Sequence, residues 1–111
     1  MFTPSKRFQK LYHKYNKLYC NDELPSDTQV GWEDYPKKTP VAETATADGS
    51  GIIHHTIYLS EFVKGFKTFP TFCLLHEMCH VKLHPYGKHN RKIFDAEMLR
   101  IAQAGAFHNI W

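Results

Sequence analysis

Two prolines, Pro70 and Pro85, bracket a stretch with room for one helix and little else. Pro70 suits a helical first turn, where its missing N–H costs nothing, and Thr68 or Thr71 is placed to cap it. Pro85 turns the residue before it away from helical geometry, so the helix is expected to stop near Leu83. Phe72, Leu75, Cys79 and Val81 spread apolar groups around the axis, which predicts a largely buried helix. The rest of the chain must then wrap that helix. At 111 residues it can build one small core around it, as a single domain over residues 1–111.

The same helix carries His76-Glu77-Met78-Cys79-His80, an H-E-x-x-H segment. Residues four apart on a helix share a face, so both imidazoles can grip one ion. The Glu beside them is then placed to act as general base on a zinc-activated water. The bland alternative is a pair of ordinary polar histidines on a half-exposed helix. Expected burial argues against it, because buried polar groups are costly unless paired or coordinated. The segment predicts one Zn²⁺ per chain, His76 and His80 as ligands, Glu77 as the catalytic residue, and hydrolysis, most simply of peptide bonds.

Composition narrows the setting. Hydrophobic residues at 42% and aromatic residues at 14% fit a globular fold and argue against a disordered chain. No apolar run approaches the roughly 20 residues of a membrane span. The N-terminus lacks the apolar core of a signal peptide. Cys20, Cys73 and Cys79 form no C-x-x-C pair and read as small core hydrophobes, so a reducing, cytoplasmic setting is expected. The net charge of +3 is mild. Lys6, Lys10, Lys14 and Lys17 nevertheless all precede the first acid, Asp22. They are candidate nucleic-acid contacts, with a solvated helix face as the simpler reading.

The chain pattern predicts an α+β domain. Residues 4–20 have helical spacing through Phe8, Leu11, Tyr12, Tyr15, Leu18 and Tyr19. Residues 28–32, 41–47 and 52–59 read as strands, the last two joined as a hairpin by the turn at 48–51. A short helix is expected at 61–66. A last helix at 91–104 ends at Gly105.

A catalytic zinc usually has three protein ligands plus water. His84 would lie about 12 Å along a continuous helix from His76, too far for easy sharing of one ion. His89 follows the Pro85-Tyr86-Gly87 turn, where a reversal can bring it back. Glu97 falls on the apolar stripe of the last helix, as an alternative ligand or a hydrogen-bond partner of a ligand His. His54 and His55 are adjacent on a strand and point to opposite faces, so both read as non-ligands, one of them possible in the cleft wall. Tyr86 is a candidate oxyanion donor.

Several segments together resemble the SprT-like zinc metallopeptidases, which include the Spartan DNA–protein crosslink proteases. Leu11-Tyr12-His13-Lys14-Tyr15-Asn16 resembles that family's opening helix. Asn21-Asp22-Glu23-Leu24-Pro25 followed by Val30-Gly31-Trp32 resembles its passage into the first strand. Ile57-Tyr58-Leu59-Ser60 and Leu74-Leu75-His76-Glu77-Met78-Cys79-His80 resemble its later strand and core motif. His89, Phe94, Met98 and Ile101 resemble its closing pattern. The resemblance implies a zincin-like core: N-terminal helix, small antiparallel β-sheet, H-E-x-x-H helix and C-terminal helix. It also implies His89 as third ligand, zinc endopeptidase activity and DNA-associated proteins as a substrate class. The sequence carries no cysteine-rich ribbon after this core, so a minimal single-domain form is expected.

An alternative from a different class is a zinc-containing DNA- or protein-binding module with a structural or degenerate protease site. The presence of Glu77 favours the enzyme, since a structural site has no use for it. An extended peptide substrate is expected to pair with an edge strand, placed by the sequence around 52–59.

Overall fold

The computed structural model describes residues 1–36, 40–49, 52–85 and 90–108, with only the backbone of Asp48, Gly49 and Ile52. Among these, four strands and three α-helices make a small α+β fold. They are β1 (Thr3–Pro4), α1 (Lys6–Cys20), β2 (Gln29–Glu33), β3 (Ala42–Gly49), β4 (Ile52–Ser60), α2 (Phe69–Leu83) and α3 (Arg91–Gln103). A 3-10 turn at Glu61–Val63 stands where a longer short helix was expected.

The sheet is mixed, which corrects the antiparallel expectation. Its order is β1-β2-β4-β3, with β4 parallel to β2 and antiparallel to β3. The chain leaves β2, passes to the far edge, and returns through the hairpin so that β4 lies between. The reason is chemical. On the inner face of β4, Ile57 and Leu59 are fully buried, which demands a central place. By contrast β3, with the sequence Ala-Glu-Thr-Ala-Thr-Ala-Asp-Gly, is small and polar and suits an edge. The edge strand beside the motif helix is therefore 42–49, not 52–59.

Strand β1 was missed because two residues give no alternation to read. It pairs antiparallel with β2, and its Pro4 is tolerated on an edge. Gly31 makes the pairing possible. A Cβ there would lie 2.4 Å from the Thr3 carbonyl oxygen and 2.6 Å from the Phe2 ring.

Helix α1 starts on Ser5, whose hydroxyl accepts from the Phe8 N–H. It buries Phe8, Tyr12, Asn16 and Cys20, while Leu18 faces solvent instead of the core. Two left-handed residues, Asn21 and Asp22, end it. The Asn16 amide then holds the returning chain by donating to the Leu24 carbonyl (3.0 Å) and accepting from its N–H (3.1 Å). Gln9 similarly ties the helix to Thr28 and Val30.

Helix α2 is apolar nearly all round and forms the spine of the core. The sheet, α1 and α3 pack around it. Pro70 lies in its first turn, with Thr68 at the cap position but making no side-chain capping bond. It ends at Leu83; His84 is already extended, as the following proline requires. Helix α3 is capped by Asn90 and buries Phe94, Glu97 and Ile101. Gly105, at φ 97°, turns the chain so that Ala106 and Phe107 close the core.

Candidate metal centre

One turn of α2 brings the two motif histidines together. The ligand atoms of His76 and His80 and a carboxylate oxygen of Glu77 all lie within 4.8 Å of one another. This group could hold a metal ion. The two rings stand 5.1 Å apart at 73°. Phe94 from α3 backs both, stacked on His80 at 4.3 Å and edge-on to His76 at 4.7 Å. Burial, then the nearby His80, holds the His76 imidazole below its ordinary range. That favours the neutral ring, the form that ligates.

Glu77 is buried, and its Oε1 accepts from the Thr44 hydroxyl at 2.8 Å. Sequence reasoning passed over Thr44. Its only signal was the alternation of β3, which puts Ala42, Thr44 and Thr46 on one face. That face and the adjoining backbone of β3 form one wall of a cleft of about 640 Å³; His76, Glu77 and His80 form the other, with His84 and Pro85 at one end.

The remaining expectations sort by position. His84 lies on the cleft wall, outside the His76–Glu77–His80 group, with its ring against His55 at 5.2 Å. His55 is buried and shares a 2.8 Å hydrogen bond between Nδ1 and the Thr46 hydroxyl. His54 points the other way and meets Asp27 at 2.8 Å. His89 and Tyr86 lie outside the described residues. Lys6, Lys10, Lys14 and Lys17 are all exposed on α1, and none lines the cleft.

Glu97 is placed elsewhere than the sequence suggested. Its carboxylate is held by Arg100 (2.7 Å) and Lys82 (3.1 Å). Lys82 is two residues past His80, so it emerges about 200° around the helix, away from the imidazoles. Burial pushes the Glu97 carboxyl up, but the hydrogen bonds and charges of Arg100 and Lys82 outweigh it and hold it below its usual range. Glu97 is thus a buried ionic tie between helices, outside the His76–Glu77–His80 group. Glu97→Ala is expected to leave metal content unchanged and to lower stability by about 2 kcal/mol, the scale of a hydrogen bond to a charged group. Metal analysis beside a urea melt checks both; loss of metal would restore Glu97 to the site.

Cys79 lies inside the motif yet faces away from the cleft, its Sγ 3.5 Å from the Met98 sulfur. Burial pushes its thiol up to about 12 and that of Cys73 up to about 11. All three cysteines are free and buried, and serve as packing.

Comparisons with family models, with curated proteins and with solved structures returned no match. No described helix is long and apolar enough to cross a membrane.

Proposed function

We propose that this protein is a zinc-dependent metalloendopeptidase of the SprT-like type. The observation that carries the reading is a buried Glu77 carboxylate beside two imidazoles on one helix turn, facing a cleft walled by an edge strand. The donor set suits zinc: two imidazoles of borderline softness on one helix turn, the His76 ring favoured in its neutral form by burial. His76 and His80 would hold the ion, and the SprT-like resemblance assigns the third position to His89. When bound, zinc supplies Lewis acidity, making water acidic near neutral pH and polarising a carbonyl.

The chain's own residues do the rest. Glu77 accepts a proton from water and returns it to the leaving amine. Phe94 fixes both rings and keeps bulk water from their backs. The outer edge of β3, unpaired among the described residues, offers main-chain hydrogen bonds to an extended peptide. The geometry favours an enzyme over a zinc-held binding module, because a closed structural site needs no buried carboxylate next to its ligands.

The test is metal content and hydrolysis together. Purified protein is expected to carry about one zinc per chain and to cleave labelled casein, with both lost in His76→Ala and His80→Ala. Full zinc without hydrolysis would favour the binding module. A metal-free protein that still cleaves would end the zinc reading.

A further inference from the structure

From the ladder between β3 and β4 we infer that Thr44 is a positioning residue that joins peptide docking to the general base. This rests on the peptidase reading above. The Val41 carbonyl accepts from the Ser60 N–H at 2.9 Å, so these two residues are a hydrogen-bonded pair. The register continues without a slip as Ala42↔Leu59, Glu43↔Tyr58 and Thr44↔Ile57. In an antiparallel ladder such pairs alternate with pairs that do not bond each other. Val41 and Glu43 therefore bond β4, while Ala42, Thr44 and Thr46 turn their N–H and C=O groups outward. Among the described residues, no strand lies on that outer side. An extended peptide entering the cleft would meet the main chain of Thr44.

The side chain of the same residue holds the base. Its hydroxyl donates to Glu77 Oε1 at 2.8 Å and stands 3.5 Å from the Glu77 main-chain oxygen. A β-branched residue on a strand has little freedom at χ1, so the hydroxyl direction is fixed by the backbone. The backbone is fixed in turn by β4. Thr44 thus places docked peptide and carboxylate in one frame, one strand residue apart from each other. Removing this tie loosens the orientation of the carboxylate, which lowers kcat and leaves binding intact.

The test uses the zinc-loaded full chain as wild type, Thr44→Val, Thr44→Ala and Thr44→Ser. Valine keeps the branched shape and removes the hydroxyl; serine keeps the hydroxyl. Hydrolysis is followed with labelled casein and with a quenched-fluorescent peptide spanning a casein site that wild type cuts. Binding of acetohydroxamic acid, which gives its proton to the base as it binds, is measured by calorimetry. Zinc content and thermal midpoint accompany each variant. Thr44→Val is expected to lower kcat by about 10- to 100-fold with KM within about twofold and zinc unchanged. Its hydroxamate affinity is expected to fall about fivefold, and Thr44→Ser to restore both properties to within about threefold. Thr44→Ala repeats the result if the valine variant folds poorly. Equal kcat and hydroxamate affinity in wild type and Thr44→Val would overturn the inference. So would a serine variant as impaired as valine, since the hydroxyl would then be irrelevant. A zinc-loaded wild type that neither cleaves casein nor binds the hydroxamate would overturn the peptidase reading, and this role with it.

Discussion

Glu77→Gln is expected to keep a full equivalent of zinc and to lose hydrolysis by at least about 10²-fold, up to about 10⁴-fold. The size follows from what the substitution changes. Glutamine has nearly the same shape, and its carbonyl oxygen can still accept from the Thr44 hydroxyl that now meets Oε1 at 2.8 Å. The histidine rings are backed by Phe94, which the substitution leaves in place. What disappears is a basic oxygen able to take a proton, and no other described carboxylate belongs to the metal-ligand group. Metal analysis and casein cleavage on one preparation check the pair of outcomes. Full activity in the glutamine variant would refute Glu77 as the base; loss of zinc would make it part of the binding set.

Phe94→Ala has the second large effect, and it is a double one. Phe94 is buried against both imidazoles, at 4.3 Å from His80 and 4.7 Å from His76. Truncating a buried Phe removes contact area and leaves a cavity, a cost of about 3 kcal/mol. The same truncation frees two rings that the packing holds. Groups that orient metal ligands typically carry about 10- to 100-fold in affinity, so zinc binding is expected to weaken by that factor. Urea unfolding measures the first effect and competition with a chromophoric chelator the second. A variant that is destabilised but binds zinc as tightly as wild type would show that the helix backbone alone positions the histidines.

The parts of this molecule that sequence reasoning reached are those fixed by local rules. Pro70 and Pro85 bound α2, and Gly105 marks the turn after α3. The i, i+4 spacing of His76 and His80 was enough to put their rings on one face. What stayed hidden depends on pairing across the chain. The small, polar residues 42–49 suit an edge but do not by themselves put the strand there, since the hairpin with β4 is the same whichever strand is central. The parallel pairing of β2 with β4 decides it, and that contact spans distant residues. Thr44 was invisible for this reason, and β1 because its pairing needs the bare backbone of Gly31. Glu97 shows the same limit from the other side. Its stripe position rightly indicated burial, but helix rotation, which sets its partners Lys82 and Arg100, is a property of how α3 docks.

The placement of the whole histidine–glutamate turn on the spine helix has a kinetic consequence. The motif does not sit on a loop that can open by itself. Leu74, Leu75, Met78 and Cys79 alternate with the site residues along the same turns, and all are buried. Backbone amides in this stretch are bonded within the core helix, so their hydrogen exchange is expected to proceed chiefly through unfolding of the core. Exchange at 76–80 in the presence and absence of zinc then reads the ion's binding energy directly as protection of the native state. On the zinc reading, a destabilising mutation in this core is expected, by the same coupling, to shorten how long the centre keeps the ion.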